Sequence, residues 1–248
     1  MNFDPDWIRP EWPAPANVRA LITTRAGGVS RGPYASLNLG LATGDDARAV
    51  MENRARLRRL LPQEPKWLQQ VHGASVVGAD TLTAPVAADA AIARLPQTVC
   101  AVMIADCLPV LLCDRKGSVV AAAHCGWRGL SAGIIQNTVR AMCETGVAPG
   151  ELLAYLGPAI GPAAFEVGAD VHDVFVGRNP HAAQAFRPHR PGKWLADLFM
   201  LARQALGRAG VADVYGGGWC TVSEPRRFFS YRRDQTTGRM AALVWREG

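Results

Sequence analysis

The sequence predicts an α+β fold, a compact single domain over residues 1–248 with mixed β-sheets flanked by helices, and three observations predict it. Short, fully apolar runs bounded by glycine, proline or an acid, such as TVCAVMIAD, SVVAAAH and LLAYLGPAI, have the character of buried strands. Longer stretches with apolar residues at helical spacing, DDARAVMENRARLRRLL among them, have the character of helices. The two kinds of segment do not alternate strictly, which favours mixed sheets over a doubly wound parallel one. No repeat, low-complexity tract or Gly/Ser linker divides the chain, and 49% hydrophobic content suffices for a sizeable core.

In chain order, residues 1–18 are expected to form an extended N-terminal segment, MNFDPDWIRPEWPAPANV, rich in proline. It has no basic stretch followed by an apolar one, as a secretory signal would. ANVRALITTR is strand-like, and AGGVSRGPYASLNLG is a glycine-rich loop. DDARAVMENRARLRRLL has acids at its start and Pro62 just beyond its end, which bound a helix. KWLQQVHGASVVGAD reads as two short strands around Gly73, and LSAGIIQNTVRAMCETG as one helix ending at Gly146. ADVHDVFVG and KWLADLFMLARQALGRAG are helical, while ADVYGGGWCTV and FFSYRRD are strand-like.

Composition excludes several classes. The most apolar segment, VCAVMIADCLPVLLC, is broken by Asp106 and Pro109 and is shorter than the ~20 residues of a spanning helix. A cytoplasmic location and no membrane partner are therefore expected. The six cysteines contain no CxxC pair and are expected to be free thiols. Cys100, Cys113 and Cys143 lie in apolar patterns as small hydrophobes, whereas Cys107 and Cys125 have polar or glycine neighbours. The net charge of +6 comes mostly from arginine. Without zinc-finger, RNA-binding or helix-turn-helix signals it argues against nucleic acid and for an anionic small substrate. The GVSRG stretch runs into Pro33 rather than a helix and is no nucleophile elbow, and neither a P-loop nor GxGxxG occurs.

Three polar islands interrupt apolar surroundings: QQVHGA, IADCLP and AAHCGWRG. Zinc favours imidazole nitrogen and thiolate sulfur, and three protein ligands leave a position for chemistry. His72, Cys107 and His124 supply such a set, although only the fold can unite residues 35 and 17 positions apart. Two other readings fit the same residues: plain strand ends, or a metal-free pair in which Cys107 or Cys125 is the nucleophile and His124 the base. Asp106 either orients a neighbouring imidazole or water or caps a strand end. Trp127-Arg128-Gly129 opens a helix whose N-terminal amides favour an anion, unless Arg128 simply covers surface.

TTRAGGVSRGPYASLNLG, QQVHGA, IADCLPVLL, AAAHCGWRGL, LGPAIGPAAFEVG and FFSYRRDQTTGR, in that order over about residues 20–245, resemble the YfiH family, also called the multicopper polyphenol oxidase or laccase-domain family. The resemblance implies a fold like that of a bacterial toxin deamidase, and zinc held by His72, Cys107 and His124, with Cu2+ as the alternative metal. It implies phosphorolysis of purine nucleosides (adenosine, inosine and methylthioadenosine) and deamination of adenosine. Copper-dependent phenol oxidation is an older assignment, and some members are linked to peptidoglycan editing, which suits a Cys/His amidase. On this reading Cys125 is an alternative nucleophile rather than a ligand, and Asp106 carries a proton. Phosphate would be clamped by Arg25 with Gly27 and Gly28, by Arg128, and by Arg232 or Arg233. Trp127, Phe229 and Tyr231 are candidates to stack on the base. Ala163 and Phe165 stand where the family pattern has Cys and Tyr, a departure that touches the base pocket and not the metal ligands. With five histidines in all, one such site lacks the further clusters that multicopper oxygen reduction requires, although copper would compete well for it.

Overall fold

The computed structural model describes residues 6–248. Its strands are β1 (Val18–Ile22), β2 (Val76–Gly78), β3 (Ala90–Ala93), β4 (Cys100–Ile104), β5 (Leu108–Asp114), β6 (Val120–Cys125), β7 (Leu152–Leu156), β8 (Glu166–Gly168), β9 (Phe186–Pro188), β10 (Lys193–Ala196), β11 (Asp213–Gly216) and β12 (Met240–Arg246). Its helices are α1 (Ala47–Arg58), α2 (Trp127–Ala132), α3 (Ile134–Cys143), α4 (Ala169–Val176), α5 (Leu198–Arg208) and α6 (Tyr231–Asp234).

A six-stranded mixed sheet has the order β11-β7-β5-β6-β3-β2, parallel at its two outer pairs and antiparallel within. An antiparallel sheet, β1-β12-β4, covers one of its faces, and a small antiparallel sheet, β8-β10-β9, lies beside the helices. Alternation along the strands divides the core into layers. Ala121, Ala123 and Cys125 of β6 pack against α2, α3 and α5, whereas Val120 and Ala122 pack against Val102, Ile104 and Val244 of the three-stranded sheet. The outer face of that second sheet is closed in turn, with Ala101, Leu243 and Trp245 packing on Leu57 of α1. Sheets buried on both faces require strands without polar alternation, which is why β5, β6 and β7 are apolar apart from Asp114 and His124 near the strand ends.

Several local expectations change. LSAGIIQNTVRAMCETG is two helices, because Gly133 at φ +93° ends α2 and α3 starts afresh behind it. FFSYRRD is not a strand, since the Ser230 side chain accepts from the Arg233 amide and caps the short α6. In KWLQQVHGASVVGAD only Val76–Gly78 forms a strand, because Lys66 and Gln69 make isolated bridges and His72 takes φ +59°. KWLA pairs as β10 before α5 begins at the Asp197 cap. The expected extended segment over residues 1–18 falls partly on residues 1–5, outside the described residues. Beyond them, Ile8 bridges Ile22 and Trp7 is buried. No helix among the described residues is long and apolar enough to cross a membrane.

Leu111, fully buried between the two sheets, tests this layering. Leu111→Ala is expected to lower unfolding free energy by about 2–5 kcal/mol in urea titration.

Candidate metal centre and its cavity

Register brings the chemistry together. In the β5–β6 pair Leu108 lies opposite Cys125 and Pro109 opposite His124, so Cys107, just before β5, sits beside the end of β6. His72 arrives from the loop ahead of β2. The ligand atoms of His72, Cys107 and His124 all lie within 4.8 Å of one another, and the two imidazole rings meet edge to face with centroids 4.9 Å apart. Gly126 makes the approach possible, because a Cβ there would stand 2.7 Å from the Cys107 sulfur.

Asp89 holds the cluster in place. Its carboxylate, fully buried just before β3, accepts from the amides of Val71 (3.2 Å), His72 (3.0 Å) and Gly73 (2.7 Å). Its Oδ1 also lies 2.9 Å from His124 Nδ1, which assigns the proton to Nδ1 and leaves Nε2 facing the cluster. Burial alone would raise the Asp89 carboxyl, but the hydrogen bonds from His124 and from the loop amides outweigh it and hold the group below its ordinary range. Burial would likewise raise the Cys107 thiol, yet the charge and hydrogen bonds of His124 and His72 bring it down to about 6. Two imidazoles and a sulfur biased toward thiolate fit a borderline-soft divalent ion. Among the described residues this is the one group of three or more such donors.

The other expected site residues divide between cavity and scaffold. The cluster lines a cavity of about 790 Å³ together with Asp106, Trp127, Arg128, Phe165, Tyr231 and Arg232. Asp106, at φ +90°, accepts from Thr221 Oγ1 (2.6 Å) and the Arg232 amide (2.7 Å), which ties the start of α6 to the ligand loop. Arg128 lies over the Trp127 ring at 4.5 Å, and Arg232 over Phe165 at 5.3 Å.

Cys125 is the clearest correction. Strand alternation sends it to the side of β6 opposite His124, where it is fully buried in the helix-facing core and its thiol is raised well above the ordinary value by burial. Arg25, Gly27, Gly28 and Arg233 do not line the cavity. Arg25 donates to the carbonyls of Ala35 and Pro225 and lies over Phe229, itself fully buried in the core. The Gly28 amide donates to Ser36 Oγ, and Arg233 gathers the carbonyls of Thr221, Val222 and Phe228. These groups organise the glycine-rich loop and the turn before α6.

Three residues of the site lay outside the expectations: Asp89, Arg54 and Arg239. Both arginines line the cavity. The signal for Asp89 was one acid in the apolar run PVAADAAIA. For Arg54 it was a place on the inward stripe of α1, beside Val50, Asn53 and Leu57.

Residues 19–247 match the family described as multi-copper polyphenol oxidoreductase laccase. The chain is 55% identical over 240 residues to "Purine nucleoside phosphorylase PA4543" of Pseudomonas aeruginosa, covering 96% of this chain and 98% of that one. It is 52% identical over 244 residues to "Purine nucleoside phosphorylase YfiH" of Escherichia coli, with the same coverage, 96% and 98%. Its fold superposes on the crystal structure of Neisseria meningitidis protein NMB0706 with a TM-score of 0.94 at 54% identity, covering 98% of this chain and all of that one (100%). On YlmD from Geobacillus stearothermophilus the TM-score is 0.88 at 34% identity, covering 94% and 93%.

Asp89→Asn keeps the shape but presents an amide to donors that need an acceptor. Metal affinity, measured by competition with a chromogenic chelator, is expected to fall about 10- to 100-fold. Unfolding free energy is expected to fall by at least about 1–3 kcal/mol.

Proposed function

The chain belongs to the multi-copper polyphenol oxidoreductase laccase family, and we propose that its reaction is zinc-dependent phosphorolysis of purine nucleosides (adenosine, inosine and methylthioadenosine), with deamination of adenosine at the same site. The observation that carries this reading is the three-ligand cluster in the wall of a large, arginine-lined cavity, and the names of the close relatives support it.

His72, Cys107 and His124 are the residues that would hold the ion, with Asp89 fixing His124. When bound, a divalent zinc supplies Lewis acidity and hydroxide near neutral pH. In phosphorolysis a phosphate oxygen forms a bond to C1′ of the sugar while the bond from C1′ to the purine nitrogen breaks. The base leaves with that electron pair and takes up a proton. The chain's part is to position and neutralise an anion against a sugar carbon that becomes cationic, a task for guanidinium groups on the cavity wall. Arg128 and Arg232 line that cavity, and Trp127, Phe165 and Tyr231 offer aromatic surface to the base. For deamination water adds at C6 and ammonia departs, and Asp106, the one carboxylate among the described residues on the cavity wall, is assigned the proton transfer.

A second reading rests on a specific observation. Cys107, His124 and Asp89 also stand as nucleophile, base and orienting carboxylate would, with His124 Nδ1 2.9 Å from Asp89, which is the arrangement of a metal-free amidase. Copper in the same donor set is the third alternative.

Protein purified without added metal separates these readings. About one zinc per chain by elemental analysis, with phosphate-dependent release of adenine from adenosine and loss of turnover on chelation, supports the proposal. Turnover of an amide substrate that survives chelation favours the amidase, and stoichiometric copper with phenol oxidation favours the oxidase. His72→Ala, Cys107→Ala and His124→Ala are each expected to abolish both stoichiometric metal and phosphorolysis. Full metal and full activity in all three would overturn the assignment.

A further inference from the structure

The four arginines of the cavity are not equivalent. Arg128 lies on Trp127, and Arg232 Nη1 donates to the Glu166 carbonyl at the edge of the small sheet. Arg54 and Arg239 approach one backbone segment from different elements. Arg54, from α1, donates through Nε to the Leu39 carbonyl (2.9 Å) with its guanidinium 4.3 Å over Trp67. The Arg239 main chain pairs with the same segment, its carbonyl accepting from Leu39 N (3.0 Å) and its amide donating to Asn38 Oδ1 (2.8 Å). Its side chain packs against Gly40, and Nη1 donates to the Thr237 and Gly238 carbonyls (3.2 and 3.0 Å). Both guanidinium groups are thus immobilised by neutral acceptors.

Among the described residues no carboxylate pairs with Arg54 or Arg239. Asp106, the one cavity carboxylate among the described residues, already accepts from Thr221 and the Arg232 amide. Burial lowers the pKa of both arginines, and the opposing charges of Glu64 on Arg54 and of Cys107 and Asp106 on Arg239 do not offset it. Donors are also left over. Among the described residues Arg54 Nη1, and Nε and Nη2 of Arg239, have no acceptor, and Arg54 Nη2 reaches only the weakly accepting Met103 sulfur. Held guanidinium forks with spare N–H groups, without a carboxylate, match a tetrahedral oxyanion.

We propose that Arg54 and Arg239 form the oxyanion seat of the metal cavity and bind the inorganic phosphate consumed in the reaction. The ligand class rests on the phosphorolytic reading above. The location of the seat rests on the arginine geometry, and it moves phosphate away from Arg25, Gly27, Gly28, Arg128, Arg232 and Arg233.

The test uses the metal-loaded full chain and inorganic phosphate. Calorimetric titration is expected to show saturable binding of one phosphate per chain. Arg54→Gln and Arg239→Gln are each expected to weaken that affinity, and to raise the KM for phosphate, by about tenfold or more, with the KM for nucleoside changed less than about threefold and metal content retained. Arg54→Lys and Arg239→Lys keep the charge and lose the fork, and are expected to fall between wild type and Gln. They also give the result if a Gln variant does not fold. Arg25→Gln is expected to leave phosphate affinity unchanged. Wild-type protein that binds no phosphate, or Gln variants that bind it as wild type does, would overturn the seat. Phosphate binding lost in the variants, with no phosphorolysis in wild type, would uphold the seat and defeat the reading of the reaction. Phosphorolysis with unaltered phosphate KM in the variants would do the reverse.

Discussion

The site depends on one buried carboxylate. Asp89 is fully shielded from solvent, and a carboxylate there is tolerable only because four donors converge on it: three successive amides of the loop from Val71 to Gly73 and Nδ1 of His124. Each donor serves the ligand cluster. The amides shape the loop that carries His72, and the ring hydrogen bond fixes both the tautomer and the tilt of His124. One side chain therefore orients two of the three ligands, and the β3–β6 pairing, with Ala90 opposite Ala123, sets where it stands.

The rigidity behind that placement comes from layering. Helices cover one face of the six-stranded sheet and a second sheet covers the other, so β5 and β6 are immobilised from both sides and their adjoining ends form a fixed corner. The sequence pair His124-Cys125 takes its meaning from that corner. A strand sends neighbours to opposite faces, so one of the pair must enter the helix-facing core and the other the layer that holds the ligand cluster. The polar residue reaches Asp89 and the cluster, and the small sulfur-bearing one packs among Leu108, Ala123 and Leu130.

The three residues of the candidate cluster were legible because polar side chains at the ends of apolar runs stand out in a sequence, and their chemistry narrows what they can bind. The strands were legible for the related reason that burial on both faces leaves unbroken apolar segments. What was not legible depends on direction rather than type. Asp89 in an alanine-rich run looks like a turn acid until the amides that point at it are known. Gly27 and Gly28 look like a phosphate loop, yet Asn53 of α1 fills that loop, accepting from the Val29 amide and donating to the Ser36 and Asn38 carbonyls. Arginine is the hardest case. Composition gives the excess of charge, but only the fold tells Arg25, held by carbonyls away from the cavity, from Arg54, held by a carbonyl on its wall.

That distinction has an electrostatic consequence for the cavity as a whole. The negative groups near the ligand cluster are already engaged: Asp89 by four donors, Asp106 by Thr221 and the α6 amide, and the Cys107 sulfur by the imidazoles. A divalent ion in the cluster would be offset chiefly by that sulfur and by Asp89 through His124. The arginines on the wall would keep an excess of positive potential in the cavity. Folding alone gains nothing from such an excess, because each partly buried guanidinium without an anion costs desolvation energy. The same excess favours a substrate that carries at least one negative charge, and it favours most the stage of a reaction at which that charge must be held close to a developing cation.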